Sequence, residues 1–173
     1  MGYAGGTSKN PDYAHIGDHT ETVQVDYDPA KISYSQLLDF FWQSHDPAGS
    51  SWSRQYLNAV FYRDEHQREM AMASKNALEQ KTGAAIQAEI LPLRSFTLAE
   101  DYHQKYTLKR YADLTHEMSR LYPDHRDFVN STAVARMNGY LGDNGTLEQL
   151  SREIDLLGLS PAGKKILRGR VGR

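Results

Sequence analysis

Along residues 22–106 the spacing of apolar side chains switches repeatedly between two periods, and this switching most limits the folds open to the chain. A period of two marks a half-buried strand, and a period of about 3.6 marks an amphipathic helix. In TVQVDYD (residues 22–28), Val23, Val25 and Tyr27 alternate, which predicts a strand with one buried face that Asp28-Pro29 ends. Ser33-Tyr34-Ser35-Gln36 has the spacing of a capping box, in which the Ser hydroxyl and the Gln amide satisfy the free backbone N–H groups of a first turn. Behind it, Tyr34, Leu37, Leu38, Phe41 and Trp42 recur at helical spacing and read as core packing, and His45-Asp46-Pro47 closes the helix. Small polar residues 48–53 predict a loop, and residues 56–62 a second strand. Asp64, with Gln67 at the third helical position, starts a helix through Met70, Ala71 and Leu78 that stops at Gly83. Residues 85–91 predict a third strand stopped by Pro92, after which Thr97 and Glu100 cap a helix through Tyr102 and Tyr106. Strand and helix alternating in this way predict a layered α/β domain.

The remainder is helical in pattern. Residues 107–138 carry helical spacing, and GYLGDNG (139–145) reads as a glycine-rich connection between helices. It has neither the preceding strand nor the following Lys of a phosphate loop. Thr146 with Gln149 caps a helix through Ile154 and Leu157, and Ser160-Pro161 starts a short last one. The cations of that last helix, Lys164, Lys165 and Arg168, lie toward its C-terminus, where the helix dipole favours them. They read as a solvated face, since a net charge of −2 provides no bulk field for nucleic acid or an anionic membrane. With no apolar run long enough to span a bilayer and no secretory signal pattern, the expected location is cytoplasmic. The 173 residues include no Cys, so these residues hold no disulfide, thiolate metal site or cysteine nucleophile. His15 and His19 flank Gly17 in a loop-like stretch and read as solvated or hydrogen-bonded side chains. No metal or cofactor is expected.

Three segments place polar groups where connecting loops should meet: NPDY (10–13), GDHTE (17–21) and SRQY (53–56). If the strand near Thr22 lies beside the one near Leu57, then Tyr13, Tyr56 and Glu21 converge. Phenol hydroxyls and a protonated carboxyl are the donors that would hold a substrate oxygen gaining negative charge. A Glu in an apolar pocket can have its pKa raised enough to hold its proton and act as an acid near neutrality. Taken singly, each Tyr reads first as an amphipathic packing residue.

GYAGG, NPDY, the HTE segment, VDYDP, ISYSQLLDFFWQSHDP, RQY, VFY, AEI and AEDYHQKY occur in the order in which the methionine sulfoxide reductase A family carries them. The chain resembles that family from residue 2 to about residue 109. The resemblance implies an α+β two-layer sandwich around a mixed sheet, with a ferredoxin-like core, over residues 1–109. A helical C-terminal extension then occupies residues 110–173. It further implies a peptide-methionine (S)-S-oxide reductase, which repairs oxidised proteins under oxidative stress by reducing methionine-S-sulfoxide. In the family, a strand ending in Gly-Cys-Phe-Trp precedes GYAGG, with selenocysteine replacing Cys in some members. That residue attacks the sulfoxide sulfur while Phe and Trp hold the methyl group. The expectation is therefore a chain that starts after the nucleophile. A selenocysteine UGA codon read as a stop, with a start placed at a downstream Met such as Met1, would account for it.

Carried over by motif, Tyr13 and Tyr56 would hydrogen-bond the sulfoxide oxygen and Glu21 would protonate it. Family members often have an Asp in a longer loop before the RQY-type motif. Here HDPAGSSWSRQY is short and lacks it, so Trp52 and Arg54 are the candidate substrate-binding residues in its place. The implied reductant is an external thiol, such as thioredoxin or glutathione, and the expected state is a monomer. Because the chain lacks the nucleophile, it is expected to be inactive as it stands. The alternative function is a non-catalytic binding module that kept the sulfoxide pocket.

Overall fold

The computed structural model describes residues 1–172; Arg173 lies outside the described residues. The chain divides into two compact units, Met1–Glu100 and Asp101–Arg173. The first unit contains strands β1 (Gly2–Ala4), β2 (Thr20–Thr22), β3 (Ala59–Tyr62), β4 (Glu89–Pro92) and β5 (Phe96–Leu98), with helices α1 (Tyr34–Gln43) and α2 (Glu65–Thr82). The expected α/β architecture is present. Its antiparallel and parallel pairings are divided between two sheets, one ordered β2-β1-β5 and the other a parallel β3-β4 pair.

The helix ends follow the sequence because caps are local chemistry. Ser33 accepts from the Gln36 N–H while the Gln36 side chain accepts from the Ser33 N–H, which forms the expected capping box. Asp64 accepts from the Gln67 N–H, and Gly83 ends α2 in the left-handed conformation at φ +69°. α1 buries Leu38 and Trp42 against Ala71 of α2, with Ile86 and Ala88 in the same cluster. The Trp42 indole N–H is satisfied by Ser74 Oγ at 3.1 Å. Ser33→Ala leaves that core untouched and removes only the cap. It is expected to lower stability by about 1 kcal/mol, measured by urea unfolding.

The strands depart from the sequence reading. The strand predicted over 22–28 is confined to Thr20–Thr22, and Val23 and Val25 are 64% and 56% exposed. The β1–β2 ladder ends at the Gly2↔Thr22 pair, so the alternation beyond it has no partner strand to turn it into a buried face. The predicted second and third strands shorten to Ala59–Tyr62 and Glu89–Pro92, the stretch over which the two pair in parallel. Pro92 is the last residue of its strand. The helix predicted from Thr97 is replaced by β5, which pairs with β1 in the register Gly2↔Leu98. A single 3-10 turn, Asp101–His103, follows. A free strand edge here outweighs a cap-like tetrapeptide, since Phe and Thr suit a pleated sheet at least as well as a helix.

The second unit is helical: α3 (Tyr106–Lys109), α4 (Ala112–Leu121), α5 (His125–Asn130), α6 (Thr132–Leu141), α7 (Leu147–Glu153) and α8 (Pro161–Arg168). Leu108, Leu114, Met118, Val134, Met137 and Leu150, contributed by α3, α4, α6 and α7, form the centre of its core and are wholly buried. Thr146 makes the expected capping box with Gln149, and Ser160 caps α8 with Pro161 in its first turn. GYLGDNG supplies the last residues of α6 and the turn after it. Among the described residues, no helix is long and apolar enough to cross a membrane.

Candidate active site

β1 is the axis of the site, because both neighbours pair with it. Tyr3 lies in register with Glu21 on one side and with Thr97 on the other. Residues paired in this way project to the same face of an antiparallel sheet, so Tyr3 and Glu21 are side by side. The loop from Gly5 to His19 leaves β1 and returns as β2, and it contains NPDY. Gly5 adopts φ +79°, and a Cβ there would lie 2.5 Å from the Phe61 ring, so the turn out of β1 requires glycine. The loop is closed at its base by Asp18. Its carboxylate accepts from the N–H and hydroxyl of both Thr7 and Ser8, at 2.7–2.9 Å. The Ser8 hydroxyl and N–H, then those of Thr7, hold the Asp18 carboxyl far below its ordinary range. His19 is buried and braces the same turn: Nδ1 accepts from the Gly6 N–H at 3.3 Å, and Nε2 lies 2.9 Å from Ser8 O. His15, by contrast, is exposed and pairs with Asp12 at 3.0 Å.

The SRQY loop is bound along β2. The Glu21 N–H donates to Gln55 O at 2.9 Å, and Thr20 Oγ1 donates to Arg54 O at 2.9 Å. This juxtaposition brings Glu21 and Tyr56 together. Gln55 Nε2 donates to Glu21 Oε1 at 2.7 Å and to the Tyr56 hydroxyl at 3.2 Å, so one amide orients both groups. The Tyr13 phenol stands near enough to Tyr56 to act on its hydroxyl. Loss of water around the ring, then the Glu21 carboxylate, then Tyr13 raise the Tyr56 phenol above its ordinary 10.0, so it remains a protonated donor throughout the neutral range.

Trp52 and Arg54 leave the same loop differently. Trp52 is 81% exposed and stacks on Tyr56, ring centroids 4.8 Å apart and 28° from parallel, which extends the phenol into an aromatic ledge. The Arg54 guanidinium donates to Gly5 O and Asp18 O, each at 3.4 Å, and pairs with Glu89 at 3.8 Å. Tyr13, Glu21, Tyr56 and Trp52 therefore form one constellation, while Arg54 ties the backbone beneath it.

Two residues hydrogen-bonded to the constellation are not evident from sequence alone: Gln55, and Glu100, whose carboxylate accepts from the Tyr13 N–H at 2.9 Å. Gln55 stands inside the RQY motif, but an amide between an Arg and a Tyr gives no sign of its own that it bridges two site groups. Glu100 stands in the AEDYHQKY motif, where its spacing from Thr97 reads as part of a helix cap. Among the described residues, no group of His, Asp and Glu side chains could hold a metal ion.

The arrangement brings two phenols and a carboxyl together, a set suited to receiving an oxygen that becomes more basic during reaction. Residues 1–136 match the family model described as peptide methionine sulfoxide reductase. The chain is 39% identical to the peptide methionine sulfoxide reductase of Drosophila melanogaster over 167 residues, which cover 95% of this chain and 67% of that one. It is 36% identical to peptide methionine sulfoxide reductase A5 of Arabidopsis thaliana, over 82% of this chain and 58% of the plant protein. The likeness to the Drosophila protein, with 95% of this chain aligned, runs well into the helical unit. Among solved structures, reduced Mxr1 of Saccharomyces cerevisiae superposes with a TM-score of 0.59 at 29% identity, over 64% of this chain and 69% of that one.

Proposed function

The chain belongs to the peptide methionine sulfoxide reductase family, and on that premise we propose that it provides the oxygen-binding and proton-donating part of a site that reduces methionine-S-sulfoxide to methionine in oxidised proteins. The observation that carries this reading is the meeting of Glu21, Tyr56 and Tyr13. In the proposed reaction the phenols of Tyr13 and Tyr56 hold the sulfoxide oxygen and Glu21 delivers a proton to it. Proton delivery draws electrons from sulfur and makes it open to a nucleophile. Gln55 holds one Glu21 oxygen, which aims the carboxyl. Trp52 extends the site along the substrate, and Arg54 contributes through the Gly5 and Asp18 carbonyls that it holds in place.

The attacking group must be a thiolate or selenolate, because Ser, Tyr and Lys are poor nucleophiles toward sulfur at neutral pH. It is not among these 173 residues, none of which is Cys, so the proposal requires that it be supplied from outside them. As the sulfoxide S–O bond breaks, the oxygen passes to the nucleophile as a sulfenic or selenenic acid, and an external thiol such as thioredoxin or glutathione would then return it to the reduced state, releasing the oxygen as water and forming a disulfide.

The test has two arms. Titrated with an N-acetyl-methionine-S-sulfoxide amide, the 173-residue chain is expected to bind it at millimolar concentration or below and to produce no methionine above a dithiothreitol blank. The same residues joined behind a strand ending in Gly-Cys-Phe-Trp are expected to turn it over. Lack of binding by the first and of turnover by the second would overturn the proposal. Binding by both with turnover by neither would leave the family pocket as a binding module.

A further inference from the structure

We propose that Glu100 is a positioning residue for this site: its carboxylate links β1 to the NPDY loop and thereby sets where the Tyr13 phenol meets Tyr56. The inference rests on the sulfoxide reading above for its chemical meaning, but its geometry stands apart from that reading.

One oxygen, Oε2, accepts from the Tyr3 hydroxyl at 2.7 Å, and the other, Oε1, accepts from the Tyr13 N–H at 2.9 Å. The two donors come from different places. Tyr3 is in the middle of β1 and only 2% exposed, so its hydroxyl must find an acceptor inside the protein. Tyr13 lies in the loop between β1 and β2 and is 47% exposed. A carboxylate is the group for this task because it presents two separate acceptors and no donor.

The path through the site then closes on itself. Tyr3 is the in-register neighbour of Glu21; Glu100 joins Tyr3 to the Tyr13 backbone; the Tyr13 side chain meets Tyr56; and Gln55 joins Tyr56 back to Glu21. Without Glu100 the circuit opens at the Tyr13 backbone. Glu100 closely follows β5, so the strand that forms in place of the predicted helix is what delivers the carboxylate to this point.

The experiment uses the full chain with Glu100→Met, which keeps side-chain length and removes both acceptors, and with Glu100→Gln. The Gln side chain can still accept from the Tyr13 N–H through its oxygen and donate to the Tyr3 hydroxyl oxygen through its amide. The first readout is the nuclear Overhauser effect between the Tyr13 and Tyr56 rings, expected in the unaltered chain, absent in Glu100→Met and retained in Glu100→Gln. The second is affinity for an N-acetyl-methionine-S-sulfoxide amide, expected to fall roughly three- to tenfold in Glu100→Met and to be rescued in Glu100→Gln. If the ring–ring Overhauser effect disappears in Glu100→Met and returns in Glu100→Gln, in a chain that does not bind the sulfoxide, the positioning role is upheld and the function proposed above is rejected. An Overhauser effect that persists in Glu100→Met, with unchanged affinity, overturns the positioning role. Should Glu100→Met fail to fold, hydrogen exchange of the Tyr13 amide in the unaltered chain decides: protection supports the bond to Glu100, and exchange at the rate of a free loop overturns it.

Discussion

Glu21→Gln is expected to slow single-turnover reduction of a methionine-S-sulfoxide peptide by roughly 10²–10⁴-fold, the usual worth of a positioned general acid. The measurement needs a nucleophile, so it is made in the form that carries the Gly-Cys-Phe-Trp strand ahead of Gly2. Gln is nearly the same size as Glu and can still receive the Gln55 amide through its own oxygen, so the loop geometry at β2 should survive. What it cannot do is surrender a proton to the sulfoxide oxygen. Tyr13→Phe and Tyr56→Phe each remove one donor while a second remains, so each should cost less than Glu21→Gln. Tyr56→Phe should be the more harmful of the two, because that hydroxyl also receives the Gln55 amide that aims Glu21. A Glu21→Gln protein with an undiminished single-turnover rate would remove the acid role from this position while leaving family membership intact.

The largest effect on stability is expected in the helical unit. Leu150→Ala deletes most of a side chain with no exposed surface, packed in the cluster that contains Leu108, Met118 and Met137. A large-to-small change at such a site costs the lost transfer energy plus a term for the cavity, together about 2–5 kcal/mol. Leu156→Ala is the control, since Leu156 is 81% exposed and its truncation should change stability by no more than about 0.5 kcal/mol. Because the chain has two compact units, the loss should be read locally, from amide exchange in α6 and α7 rather than from a single unfolding midpoint. An equal response to the two substitutions would mean that this cluster does not hold the unit together.

The sequence by itself determined the capped starts of four helices and offered the candidate groups of the site. Ser33, Asp64, Thr146 and Ser160 each accept from a backbone N–H three residues ahead, a bond written wholly within four residues of chain. Tyr13, Glu21 and Tyr56 were legible as candidates because their residue types and motifs suit one chemistry.

Tertiary structure decided the strands and the links between site groups. TVQVDYD alternates through seven residues, yet only the part facing β1 is strand, since a strand exists only where a partner supplies the other half of each hydrogen bond. Residues 96–98 look like a helix approach and become β5 because β1 offers its second edge. The Glu100 hydrogen bonds span 97 and 87 residues of sequence, and no local pattern encodes a separation of that size. Caps are legible because donor and acceptor are neighbours in the chain. Ladders and long-range carboxylate ties are not, because their partners become neighbours only when the chain has folded.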